Sequence, residues 1–273
     1  MRISSSPKRS VLVTGASSGI GAACARRFAD AGWRVLAGVR QRGDAPEGTT
    51  EVLLDVTDPE AFARLRDEES DPWGLTLGLN GLVNNAGIVV ASPLEDLPVS
   101  ELRRQLEVNV LGQLAVTQAV LPALRKARGR VVIVGSIAGR SALPFLGAYA
   151  ISKFALEAMA DSLRLELAAD GIEVSLVEPG TIATPIWTKP QPLADAVSER
   201  YRPHLEKFRA LAAARAAKAA PPDRVAQAIE HALTARRPKP RYLVGRDAHI
   251  RAAIERLPDR LRDRVLTRAL LGG

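Results

Sequence analysis

Cysteine is almost absent from this chain: Cys24 is the only one in 273 residues. A single thiol excludes an intramolecular disulfide and suits a reducing compartment, so a cytoplasmic location is expected. Cys24 sits among Ala22, Ala23 and Ala25, where a cysteine serves as small core filler. Aromatic residues make up only 4% of the chain, too few beside the C-terminal arginines to stack on the bases of a single strand. The three histidines, His204, His231 and His249, have no metal-ligand spacing, and no metal site is expected. No apolar run reaches the roughly 18 residues of a membrane span. The basic start, Met1 to Arg9, lacks the apolar core and small-residue cleavage site of a secretory signal.

An excess of charge of either sign is also missing from most of the chain. Residues 1–200 carry 21 Lys and Arg against 23 Asp and Glu, whereas residues 201–273 carry 17 against 7. A tail with net charge +10 admits nucleic acid, an anionic membrane surface or an acidic partner. The plainer expectation is a solvated face on amphipathic helices. No nucleic-acid partner is expected, and a weak contact with an anionic membrane surface stays open.

What the chain does have is rhythm. Short β-branched runs at 11–14, 33–37, 51–55, 81–84, 130–134 and 173–177 alternate with helical stretches at 19–31, 59–69, 99–126 and 149–169. Several of the runs are continuously apolar, as parallel strands covered on both faces are. Asp58-Pro59 starts a helix, and Gly32 and Gly171 end helices. A seventh strand is expected at 241–245. Repeating βα units with right-handed crossovers predict an α/β fold of three layers, doubly wound about a mainly parallel seven-stranded sheet. The expected organisation is one catalytic domain over 8–245 and a basic helical extension over 246–273. Within the domain, 181–220 breaks the rhythm and is expected to form a lid beyond the end of a strand, where open α/β sheets bind ligands.

Two clusters carry chemistry. Thr14-Gly15-Ala16-Ser17-Ser18-Gly19-Ile20-Gly21 joins the first strand to the first helix. Its glycines permit a tight turn, close approach to a pyrophosphate and helix-on-strand packing, and the helix N-terminus supplies amide donors. The second cluster is Tyr149 and Lys153, four residues apart, with Ser136 thirteen residues before the tyrosine. Positions i and i+4 share a helix face. A cation there lowers a tyrosine pKa from about 10, and such a phenol exchanges protons with an alcohol or carbonyl oxygen.

With these in order, the chain resembles the short-chain dehydrogenase/reductase family. The glycines follow that family's Gly-x-x-x-Gly-x-Gly form. Asp55-Val56, Asn84-Asn85-Ala86-Gly87, Asn109, Ser136, Tyr149-x-x-x-Lys153 and Pro179-Gly180 followed by Thr184 come after them. The resemblance covers about residues 8 to 245 and implies a Rossmann fold and a nicotinamide cofactor. It places Gly15, Ser17, Ser18, Gly19, Ile20 and Gly21 at the pyrophosphate, Asp55 and Val56 at the adenine, and Ala86 and Gly87, beside Asn85, at the adenosine ribose. Ile182 and Thr184, after Pro179 and Gly180, would hold the carboxamide. Tyr149 would be the proton donor or base, and Ser136 would polarise the substrate oxygen. Lys153 would lower the Tyr149 pKa and bind the nicotinamide ribose, and Asn109 would hold a water of the proton relay. Gly38 stands where an NAD-binding acid would be, and Arg40, with Arg42 nearby, suits a 2′-phosphate, so NADP(H) is expected over NAD(H).

The expected pocket walls are Val89, Val90, Ala138, Leu143 to Leu146 and, from the lid, Ile186, Trp187, Tyr201 and Phe208. Few charges occur among them, which predicts an apolar alcohol or ketone substrate. The stretches 37–40 and 177–180 are similar to those of hydroxysteroid and retinol dehydrogenases, which extends the expectation to a steroid-, retinoid- or lipid-like compound. The long helices imply a homodimer or homotetramer. The alternative is a catalytically silent, dinucleotide-sensing protein on the same fold.

Overall fold

The computed structural model describes residues 8–187, 197–216 and 219–270. Residues 188–196 and 217–218 of the expected lid, and the side chain of Trp187, lie outside the described residues. Seven strands form one sheet: β1 (Ser10–Thr14), β2 (Arg34–Val39), β3 (Thr50–Leu53), β4 (Gly81–Asn84), β5 (Arg130–Val134), β6 (Glu173–Pro179) and β7 (Arg241–Val244). Their order is β3-β2-β1-β4-β5-β6-β7, and every pairing is parallel. From β1 the chain moves outward to β3, then returns to lay β4 on the other side of β1. That reversal opens a crevice at the carboxyl ends of β1 and β4.

The sheet is covered on both faces, which is why its central strands read as apolar runs. On one face α1 (Gly19–Asp30), over β1 and β2, packs beside α7 (Pro222–Thr234), over β5 to β7, with Phe28, Val225 and Ile229 at 0% exposure. Each such side chain stabilises the fold by about 1.5–3 kcal/mol. On the other face lie α2 (Pro59–Arg66), α4 (Gly112–Ala127) and α5 (Gly147–Glu166), over a cluster centred on Leu82, Val120, Ile133 and Leu156. The short α3 (Val99–Leu106) precedes α4, and α6 (Arg202–Ala216) belongs to the lid. Beyond β7 come α8 (Arg246–Ile254) and α9 (Asp259–Leu270), separated at Pro258.

Local chemistry sets the boundaries. The helix α1 ends in a Schellman turn: Trp33 N–H donates to Phe28 O and Gly32 N–H to Ala29 O, with Gly32 at φ 79°. The expected helix 59–69 stops at Arg66, because the Asp67 carboxylate takes the N–H groups of Glu69 and Ser70 and folds the chain into a turn. The expected single helix 99–126 is interrupted by a π-helical turn, Glu107–Leu111, between α3 and α4. Sequence reasoning also missed α7, although Pro221-Pro222-Asp223 marks its start and Val225, Ala226, Ile229, Ala232 and Leu233 fall at helical spacing.

The entry to α1 tolerates no side chain at Gly21. A Cβ there would sit 2.2 Å from Gly15 O and 2.6 Å from Asn85 Nδ2. Gly21→Ala is expected to destabilise the protein by about 1–3 kcal/mol, because backbone has to shift to admit it. Chemical denaturation of the variant checks this, and an unchanged midpoint would show that the turn yields freely.

Candidate active site

The crevice between β1 and β4 is a cleft of about 810 Å³. The loop after β1 lines it through Gly15, Ser17, Ser18, Gly19 and Ile20, and the end of β2 lines it through Gly38, Val39 and Arg40. Gly15 takes φ 65°, which a β-carbon disfavours. Ser18 caps α1 in an extended conformation without a side-chain bond to the helix, so its first-turn N–H groups keep the donors that an anion would take. At Gly38 a Cβ would lie 3.1 Å from Leu54 Cδ2 and 3.2 Å from Val13 O. A larger residue there is crowded, while Arg40 stands exposed two residues on. Asp55 and Val56 line the cleft past β3, and the Asp55 carboxylate is oriented by the Thr57 N–H at 2.9 Å and hydroxyl at 2.8 Å.

Asn85, Ala86 and Gly87 continue the wall after β4. Thr14 fixes them, its hydroxyl oxygen accepting from Asn85 N–H and Ala86 N–H, both at 2.9 Å. Asn85 Nδ2 in turn donates to Thr14 O at 2.9 Å and Gly15 O at 3.2 Å. Asn84 points away from the cleft and donates to Thr117 on α4 at 2.7 Å, a structural role. Asn109, on the π-helical turn, is wholly buried and does not line the cleft. It accepts from Ile88 N–H at 2.8 Å and donates to Ile88 O and Ser152 Oγ, each at 3.0 Å, tying the loop after β4 to α5. Gln105, which the sequence did not single out, repeats this one turn earlier by accepting from Val90 N–H at 2.7 Å and donating to Ile88 O at 2.8 Å. An uncharged glutamine amid charged neighbours was its only signal in the sequence. Gly21 also lies off the cleft wall, in the packing beneath it.

Ser136, at the end of β5, meets Tyr149 and Lys153 from α5 at the same cleft. Pro179, Gly180, Ile182 and Thr184, past β6, close the far side. The Ser136 hydroxyl accepts from Ala138 N–H at 3.1 Å and is hydrogen-bonded to the Tyr149 phenol. Lys153 Nζ donates to Val134 O at 2.9 Å and lies 5.5 Å from the Tyr149 ring centre. Tyr149 is 7% exposed and Lys153 5%. Burial pushes the phenol above its ordinary pKa, opposed by the Ser136 hydrogen bond and the Arg251 charge. Burial also lowers the Lys153 ammonium to about 7. This corrects the expectation that Lys153 depresses the tyrosine: a half-neutral lysine has little charge to offer, and desolvation governs both groups.

Over the cleft an apolar cluster gathers Val89, Ala138, Phe145, Leu146, Leu205 and Phe208, with Ile186 and Tyr201 packed against it. Val90 and Leu143, expected there too, are buried outside that cluster. Phe145 holds φ 66°, strained for an aromatic residue, and stacks edge-on with Phe208 at 5.6 Å and Tyr201 at 6.4 Å. The Ser136–Leu146 loop is moored by Arg140, which forks onto the fully buried Glu178 of β6. Among the described residues no helix is long and apolar enough to cross a membrane, and no cluster of three or more His, Cys, Asp or Glu could hold a metal ion.

A lysine that folding drives from about 10.4 toward neutrality makes stability pH-dependent. Between pH about 7 and 10.4 the unfolded chain binds the extra proton, so stability rises with pH there, and the cost is fully present below about 7. Replacing Lys153 with Met is expected to stabilise the dinucleotide-free protein near pH 6, by up to about 5 kcal/mol, with the gain vanishing toward pH 10. Melting temperatures of both proteins over that range test it, and a pH-independent difference would contradict it.

Comparison with known proteins places these features in a family. Residues 9–192 match the family described as short chain dehydrogenase. A 3-amino-tetrahydro-pyrrolizinone reductase of Xenorhabdus hominickii is 46% identical over 67% of this chain, a match spanning 64% of that protein, just under two thirds. An NADPH-dependent 3-dehydrocapnine reductase of Ornithobacterium rhinotracheale is 36% identical over 96% of this chain and 97% of its own. Retinol dehydrogenase 5 of Mus musculus is 37% identical over 94% of this chain and 87% of its own. A short chain dehydrogenase from Burkholderia cenocepacia, solved in complex with NADP, superposes with a TM-score of 0.75 at 27% identity, covering 95% of this chain and 98% of that one. The chain belongs to the short-chain dehydrogenase/reductase family and is an oxidoreductase acting on CH–OH groups.

Proposed function

We propose that the protein reduces the carbonyl of a ketone or aldehyde, and in reverse oxidises the alcohol, with Ser136, Tyr149 and Lys153 as its catalytic residues. The observation that carries this reading is the meeting of those three side chains at one cleft, with the Tyr149 phenol buried and hydrogen-bonded to Ser136. The cleft suits a nicotinamide dinucleotide: α1 presents first-turn N–H groups that Ser18 does not cap, and no β-carbon fits at Gly21 beneath them. When bound there, the dinucleotide supplies or accepts the hydride. Ser136 orients the substrate oxygen, and Tyr149 gives that oxygen its proton or takes it back. Lys153, fixed to Val134 O, holds the proton-transfer site in place and would bind the nicotinamide ribose. Asn109 acts through Ile88 and Ser152 as a positioning residue. A phenol held above its usual pKa is protonated at neutral pH, which favours carbonyl reduction there.

NADP(H) is the preferred cofactor in this reading. Arg40 is exposed at the end of β2 with no acid at Gly38 to repel a 2′-phosphate, and one full-length relative is described as NADPH-dependent. The apolar cluster over the cleft supports a substrate with a largely apolar body. Exposed Leu111 at 52%, Ile151 at 43% and Phe154 at 45% support pairing of subunits through α5 and the π-helical turn.

Replacing Tyr149 with Phe is expected to lower kcat by about 10²–10⁴-fold while NADPH still binds within about threefold of the wild type. Steady-state assays and fluorescence titration check the two halves, and substantial turnover by the variant would remove Tyr149 from its role. For the cofactor, kcat/KM with NADPH should exceed that with NADH by about tenfold, and Arg40→Ala should erase most of the difference. A tenfold preference for NADH would overturn the assignment.

A further inference from the structure

The short helix α3 buries one residue completely, and that residue is polar. Gln105 is at 0% exposure, while Leu102 and Leu106 beside it stay partly exposed. A buried amide costs stability unless both of its ends are bonded, so an apolar side chain would anchor this helix at less expense. Here both ends are bonded to the loop after β4: Oε1 accepts from Val90 N–H at 2.7 Å, and Nε2 donates to Ile88 O at 2.8 Å. A donor meets one end and an acceptor the other, which fixes the orientation of the amide.

Between those two contacts lies Val89. It lines the cleft and also belongs to the apolar cluster over it; besides Tyr149, only Ile186 does both among the described residues. The clamp on its backbone runs on to the tyrosine. Ile88 O accepts from Asn109 as well as from Gln105, Asn109 donates to Ser152 Oγ at 3.0 Å, and Ser152 Oγ donates to Tyr149 O at 2.7 Å. On the other side of Val89, Ser92 N–H donates to Phe145 O at 2.9 Å, at the residue whose φ is 66°. Gln105 therefore joins the apolar wall to the helix that carries the phenol.

We infer that Gln105 is a positioning residue of the substrate site: its amide sets Val89 against the Tyr149 phenol and so fixes where the apolar body of a ketone or alcohol rests relative to the reacting carbon. Gln105 is absent from the cleft wall and acts through Val89. A displacement of about 1 Å at a reacting centre costs about a hundredfold in rate, which gives two fixed bonds a use that apolar packing does not serve. The inference rests on the reading of Tyr149 as the group that acts on the substrate.

The test is calorimetric binding of octan-2-one and butan-2-one to the full chain saturated with NADP⁺. The longer ketone should bind the wild type at least about tenfold more tightly. Gln105→Met, of similar volume but without the two bonds, should lose most of that preference while still binding NADPH within about threefold of the wild type. Gln105→Glu separates positioning from packing. Its protonated carboxyl offers one donor and one acceptor as the amide does, and burial favours that form. The variant should therefore keep the preference near pH 6 and lose it toward pH 9, whereas the wild-type preference should stay flat; the ratio of the two ketones cancels titrations common to both, such as that of Lys153. A preference that survives in Gln105→Met, a flat profile in Gln105→Glu, or equal binding of the two ketones by the wild type would each overturn the inference. Should Gln105→Met fail to fold, the profile of Gln105→Glu decides alone. Because binding is read without turnover, a wild type that prefers octan-2-one yet transfers hydride to no carbonyl compound would sink the redox reading alone.

Discussion

Thr14 holds the two halves of the nucleotide cleft in register. Its hydroxyl lies at the end of β1 and receives the N–H groups of Asn85 and Ala86 from the loop after β4. Neighbouring parallel strands part company at that point, and without a cross-link their loops would be free to drift. Asn85 returns the bond through Nδ2 to the carbonyls of Thr14 and Gly15, which leaves no room for a side chain at Gly21. The glycine turn, the start of α1 and the Ala86–Gly87 wall are thus one hydrogen-bonded unit. The tightness of the cleft follows from satisfying buried backbone groups as much as from the needs of a ligand.

The end of the cleft that holds Tyr149 and Lys153 is governed by desolvation. Tyr149 and Lys153 both sit where water is excluded, and each is displaced toward its neutral form. Forming charge on either group is costly in so dry a place. Counter-charge from outside the helix therefore matters, and the structure supplies it from α8 in the form of Arg251. The pairing of Arg140 with the buried Glu178 does comparable work for the loop, holding the segment that bears Phe145 against β6.

Much of this was legible in the sequence, and the exceptions have physical causes. The doubly wound parallel sheet follows from βα alternation, and the residues that gather at the cleft follow from short motifs whose members are close in the chain. Of the residues expected at the dinucleotide and the reacting groups, those other than Gly21 and Asn109 line the cleft, whereas of the expected pocket walls only Val89 and Ile186 do among the described residues. Long-range partners were not legible: Gln105 and Arg251 carry no motif, and their meaning depends on which loop each meets across the fold. The break at Asp67 and the helix α7 were present as local signals and were missed, the first because a side chain competes with the helix for N–H donors. The pKa of Tyr149 went the other way from the expectation because spacing gives the position of a charge but not its hydration.

The π-helical turn at Glu107–Leu111 has a consequence for how this protein can change. Such a turn holds one residue more than the α-helical path around it. Deleting a single residue between 107 and 111 would let the run from Val99 to Ala127 close into uninterrupted α-helix. Because the extra residue is absorbed within that turn, α3 and α4 would keep their faces, and the change would fall on the turn itself, drawing Asn109 away from Ile88 and Ser152. The chain's length is thus fixed here by the loop after β4 that Asn109 holds, and not by the core face of α4.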